Sequence, residues 1–167
     1  MQRFEQHQAC ASMAKSHETS DGPCKNVRVL SLPATIENVA QTIEFVKHSL
    51  EELGCPSKAQ TKLAIVVDEI VSNIAEYAYG SSTGDMTVRF FAGQDEHQGG
   101  YIVEIDFIDK GISFNPLEAP RTNTAEAVAT RRIGGQGILI TQAIVDEIEY
   151  ERQGENNVLS IRKHIEC

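Results

Sequence analysis

With 167 residues, 41% of them hydrophobic, the chain suits one domain whose core is large enough to stand without disulfide staples. Its formal net charge of −9 argues against affinity driven by nucleic-acid phosphates, which takes a basic face. The four cysteines, Cys10, Cys24, Cys55 and Cys167, form no CxxC pair and suit reduced thiols in the cytoplasm; no run nears the roughly 18 apolar residues of a membrane span, and the first thirty residues lack the apolar run of a signal peptide.

Residues 1–26 are mostly polar and aperiodic and read as a loosely ordered leader, followed by one domain over residues 27–167. His7, Cys10, His17 and Cys24 lie in the leader, but their spacing matches no standard pairing of zinc ligands, so they read as ordinary residues of a polar tail. Val27 to Leu32 alternates in part and stops at Pro33, predicting a first strand. Thr35 is placed to cap a helix, with Asn38 where a capping box prefers Glu or Gln. Ile36, Val39, Ile43, Val46 and Leu50 then recur at helical spacing until Gly54. After a break at Cys55 and Pro56, Ser57 is placed to cap a second helix. Its stripe of Leu63, Val67, Ile70, Val71, Ile74 and Ala78 ends near Gly80. The two helices are expected to pack together.

From Met86 the period becomes two. Met86, Val88 and Phe90 alternate with Thr87 and Arg89; beyond a Gly-rich turn, Val103, Ile105 and Phe107 alternate with Glu104 and Asp106, predicting an antiparallel hairpin. Residues 110–134 carry Gly, Pro, Asn, Thr and Arg with little periodicity, a length common in functional lids. Gly137 to Val145 reads as a short helix, and Ile148 to Arg152 and Val158 to Lys163 as two strands around a turn at Gly154 to Asn157.

Three segments carry candidate chemistry. Glu69, Asn73 and Tyr77 fall at i, i+4 and i+8 of the second helix and line one stripe. Lys62, Glu69, Ser72, Asn73 and Glu76 share a polar arc opposite the apolar set, and Ile65 and Val66 interrupt it. That interruption predicts a helix covered on most sides, with Glu69 and Asn73 facing inward toward a metal ion or nucleotide; the plainer alternative is a solvated face. Next, Asp109-Lys110-Gly111-Ile112-Ser113-Phe114-Asn115-Pro116 stands where a hydrophobic strand gives out. There a carboxylate can face a cleft while the glycine lets the backbone approach a ligand; the alternative is an ordinary strand exit. Last, Gly134-Gly135-Gln136-Gly137 runs into Ile138-Leu139-Ile140, glycines ahead of a helix N-terminus whose N–H groups and dipole suit phosphate.

In this order the three segments resemble the N, G1 and G2 boxes of the GHKL ATPase superfamily of gyrase, heat-shock chaperones, histidine kinases and mismatch-repair proteins. DEIVSNIAEYAY, DKGISFNP, GGQGILI and the closing DEIEYERQGENNVLSIRK are most similar to the anti-sigma factor serine/threonine kinases and their stand-alone relatives. The resemblance covers residues 27 to 164. It implies an α/β two-layer sandwich, a mixed and mostly antiparallel sheet with helices on one face, and ATP held between the helices and a mobile lid. It assigns Asn73 as the Mg²⁺ ligand, Glu69 as general base, Asp109 as the adenine-binding aspartate and Gly111 as the glycine beside the base. Phe114, Arg132, Gly134, Gly135, Gln136 and Gly137 complete its nucleotide site. Tyr77 stands where the family often has His, and Ile133 where its kinases often have Arg. Arg121, Arg131 and Arg132 are the neighbouring cations.

The function implied is an ATP- and Mg²⁺-dependent protein serine/threonine kinase in the cytoplasm. It would phosphorylate an anti-sigma factor antagonist of the STAS type and sequester a sigma factor by partner switching. A homodimer is implied, with no direct nucleic-acid or membrane contact. The alternatives are a non-catalytic nucleotide-dependent binding switch and a detached sensor histidine kinase domain. The second lacks a preceding helical module, and His48 reads as an exposed polar residue.

Overall fold

The structure, a computed structural model, describes residues 26–118 and 136–166. Strand β1 (Asn26–Pro33) leads through a short 3₁₀ turn (Ile36–Asn38) into α1 (Val39–Glu52) and α2 (Ser57–Asn73), which continues as a π turn (Ile74–Ala78). Then come β2 (Asp85–Gln94), β3 (Tyr101–Asp109), α3 (Gln136–Ile144), β4 (Glu147–Gln153) and β5 (Asn156–Ile165). The leader and most of the expected lid fall outside the described residues.

The five strands form one sheet in the order β1-β2-β3-β5-β4. Every described pairing is antiparallel, so the parallel component expected of a mixed sheet is not found among the described residues. Period-two burial explains the layering. Met86, Val88, Phe90 and Ala92 of β2, Val103, Ile105 and Phe107 of β3, and Leu159 and Ile161 of β5 share one core with the buried stripes of α1 and α2. Val27 and Val29 turn to the opposite face and are exposed. The α/β sandwich with its helices on one sheet face is thus set by where the apolar side chains fall.

Two helix starts differ from expectation. Thr35 makes no side-chain cap, and the 3₁₀ turn intervenes before α1. Asn38 holds that corner instead, its Nδ2 donating to Pro33 O at 2.8 Å. At α2, Ser57 is the first helical residue and extended Pro56 is the cap, with no side-chain bond; proline fixes that geometry without needing a donor. His48 is exposed, as expected, and pairs with Glu52 at 2.9 Å.

Candidate functional site

Glu69 and Asn73 stand one turn apart on α2, both half-buried. Ile65 is exposed and Val66 buried, so among the described residues α2 is not covered on most sides, as the interrupted arc had suggested. Instead of facing a fully enclosed interior, the two polar side chains bond each other. Asn73 Nδ2 donates to Glu69 Oε1 at 2.8 Å. With its nitrogen turned to the carboxylate, the amide has its oxygen left for a ligand.

Against Glu69 lies the first turn of α3. A Cβ at Gly137 would overlap the Glu69 carboxylate, so any larger residue there would displace the Glu69 side chain from this position. The open N–H groups and positive dipole end of α3 therefore adjoin Glu69. Gln136 is the first residue of α3; its side chain lies outside the described set, as do Arg132, Gly134 and Gly135.

The π turn Ile74–Ala78 joins this cluster to the second one. Such turns widen the helix and recur at functional sites. Ala78 O accepts from Ile112 N at 2.8 Å, and a Cβ at Gly111 would overlap Ala78. The segment after β3 is thereby docked on the end of α2. Tyr79 adds a second tie: its hydroxyl donates to Asp85 O at 2.5 Å and accepts from Lys110 N at 2.9 Å. Burial pushes the Tyr79 pKa up, the Asp109 and Asp85 charges add to that, and the Lys110 N–H opposes it. Tyr77, by contrast, is exposed. Its hydrogen bond with Glu76 is the main influence raising its pKa.

Asp109 is buried where β3 ends. Its Oδ1 accepts from Gly111 N and from Asn157 Nδ2, each at 2.8 Å, and among the described residues no hydrogen bond falls on Oδ2. Ile112 and Phe114 are exposed on the turn that follows. Glu69, Asn73 and Gly137 thus form one cluster and Asp109 and Gly111 another, connected through Ala78, while Phe114 stands at the rim. The sequence reading missed Asn157, Tyr150 and Arg152, which bond around Asp109. Asn157 lies 48 positions from Asp109, so local periodicity carries no trace of the pairing; a polar residue opening an apolar strand was the only available hint.

A hollow of about 470 Å³ lies on the other side of the sheet, lined in part by Arg89, Asp106, Glu149 and Ser160. Its buried Asp106 is already matched by Arg89 at 3.0 Å and Ser160 at 2.7 Å, so it is set apart from the candidate site by chemistry as well as by the sheet. Among the described residues no group of three His, Cys, Asp or Glu could hold a metal, and no helix is long and apolar enough to cross a membrane.

The antiparallel sheet with helices on one face and glycines at a helix start and a strand end is the architecture that comparison with known proteins places in a family. The chain belongs to the histidine kinase-like ATPase domain family, whose profile matches residues 32–163. Among similar curated proteins, the serine-protein kinase RsbW of Bacillus pumilus is 28% identical over 137 residues, covering 77% of this chain and 74% of that one. RsbW of Oceanobacillus iheyensis is 26% identical over 125 residues, covering 71% and 68%. The crystal structure of the RsbU and RsbW domains of Rv1364c from Mycobacterium tuberculosis has a like fold, with a TM-score of 0.56 at 18% identity. That likeness covers 83% of this chain but only 32% of the larger one.

Proposed function

We propose that the chain is an ATP-dependent protein serine/threonine kinase that controls sigma factor availability. Its protein substrate is an anti-sigma factor antagonist of the STAS type, and its other partner is a sigma factor. The carrying observation is the Glu69 carboxylate, bonded to Asn73 and set against Gly137 in the first turn of α3. Membership of the ATPase family and the serine-kinase names of the curated relatives support the reading.

The residues fit Mg²⁺ and ATP. Asn73 has an amide oxygen left over, and Mg²⁺ takes hard oxygen ligands while sharing nucleotide phosphates and keeping waters. Gly111 and Gly137 stand where a Cβ would collide, leaving backbone close to the site. When bound, Mg²⁺ offsets charge on the transferring phosphoryl group. In this reading Glu69 takes the proton of the attacking serine hydroxyl and Asp109 accepts from the exocyclic amine of adenine. Gly111 and Phe114 flank the base, and Gly134, Gly135, Gln136 and Gly137 offer N–H groups to phosphate with Arg132 as a nearby cation. The domain spans residues 27–167 and acts in the cytoplasm as a homodimer.

Incubation with Mg²⁺, γ-labelled ATP and a candidate antagonist tests the proposal. Phosphoserine on the antagonist, absent with Glu69→Gln, supports it. A second reading, a switch that binds nucleotide without transferring phosphate, is favoured by Ile133 standing where family kinases often carry Arg. Nucleotide-dependent antagonist binding without phosphoserine would select that reading.

A further inference from the structure

We infer that Asn157 is a positioning residue that sets base selectivity by holding the Asp109 carboxylate with one oxygen engaged and the other left for the base. This rests on the proposed role of Asp109 as the acceptor for adenine.

Asn157 stands near the start of β5, directly opposite Asp109 in the sheet register, and is buried. Its amide makes four hydrogen bonds. Nδ2 donates to Asp109 Oδ1 at 2.8 Å and to Ile112 O at 3.0 Å. Oδ1 accepts from Tyr150 Oη at 2.8 Å and from Arg152 Nη1 at 2.7 Å. Donors meet one end and acceptors the other, so the amide cannot turn over without breaking every bond, and burial keeps water from replacing them. Arg152 Nη1 also donates to Gly111 O at 3.1 Å. The β4–β5 hairpin therefore fixes both the carboxylate of Asp109 and the carbonyls of the two glycine-turn residues that follow it.

The backbone ladder already pairs Asp109 with Asn157, so closing the sheet does not need this side-chain network. What the network adds is orientation. With two donors on Oδ1, Asp109 is held in one rotation, and Oδ2 remains as an acceptor. An acceptor there matches the exocyclic amine of adenine and opposes the carbonyl oxygen that hypoxanthine carries at the same position, leaving acceptor against acceptor. Replacing the Asn157 amide by a carboxyl would set two acids against each other. Such a pair bonds only by sharing a proton, whose pKa the second carboxylate raises against the opposing pull of the Arg152 guanidinium.

The test is calorimetric affinity for Mg²⁺-ADP and Mg²⁺-IDP from about pH 5.5 to about pH 8, where each variant's ADP-to-IDP ratio is compared with that of the wild type at the same pH. For Asn157→Asp the expected ratio falls about tenfold at the alkaline end and recovers at the acid end, as the shared proton restores the bridge. Tyr150→Phe, which removes one of the four bonds away from the base, is expected to lower the ratio about threefold at all pH values. A purely structural Asn157 would give a loss independent of pH, and that result, or an unchanged ratio, overturns the inference. If Asn157→Asp does not fold by circular dichroism, an unchanged ratio in Tyr150→Phe overturns it alone. Asp109→Ala separates the two claims. If that variant keeps wild-type affinity and selectivity, the underlying role of Asp109 fails; if it loses them while the Asn157 and Tyr150 variants do not, only the role of Asn157 fails.

Discussion

Glu69 meets two neighbours of different kinds, the Asn73 amide at 2.8 Å and the glycine at the start of α3. Glu69→Gln keeps the shape and an oxygen acceptor for Asn73 while removing the carboxylate proposed as the base. Phosphotransfer is expected to fall by about a hundredfold or more, with ADP affinity kept within about threefold. A radiolabel assay beside calorimetry reads both, and retained transfer would dismiss Glu69 as the base. Thr141 presents a different residue-scale problem. It is fully buried on α3, and its hydroxyl has no hydrogen-bond partner among the described residues. An unsatisfied buried hydroxyl costs on the order of 1–3 kcal/mol, and valine has nearly the same shape. Thr141→Val should therefore stabilise the chain by about 1 kcal/mol and raise its urea midpoint; a lowered midpoint would show that the hydroxyl is used.

At the scale of elements, much of the fold was legible. The alternation of Met86, Val88 and Phe90 against Val103, Ile105 and Phe107 marks the central hairpin because each buried side chain must face the same core. The stripes of α1 and α2 were readable for the same reason. The π turn at Ile74–Ala78 was not, since an apolar period that continues through Ile74 and Ala78 does not record which carbonyl each N–H reaches. Within the candidate site, the shared stripe of Glu69 and Asn73 followed from their spacing of four, whereas the bond between them did not. The bonds of Asn157 to Asp109 depend on strand order, which no local pattern carries.

The junction between α3 and β4 offers a pH test. Burial alone would raise the Asp146 pKa, but Lys163 Nζ and His164 N, both at 2.6 Å, together with the Lys163 and His164 charges, hold it below the usual carboxylate value. As pH falls, the unfolded chain takes up this proton first. The stabilisation is therefore complete above the unfolded pKa of about 4 and is lost as pH drops through the lower folded value. Urea midpoints measured down to about pH 3 should fall less steeply for Asp146→Asn than for the wild type. Parallel acid limbs would remove Asp146 from the balance.

Over the whole molecule, one antiparallel sheet brings together segments far apart in sequence: α2 with Glu69 and Asn73, the end of β3 with Asp109, and the start of α3 at Gly137. Ala78 and Tyr79 tie the first two through Ile112 and Lys110, and Gly137 ties the third to the first. A ligand that bridges these segments binds only the folded chain. At one hundred times its dissociation constant it adds about 2.7 kcal/mol of stability, so Mg²⁺-ADP should raise the thermal midpoint. The most direct measurement of the central claim is isothermal titration of Mg²⁺-ADP into the wild-type chain and into Asp109→Ala, with folding of both verified by circular dichroism. The account predicts saturable binding to the wild type, weakened about tenfold or more by Asp109→Ala. No saturable binding to the wild type, or equal affinity in the two proteins, would contradict it.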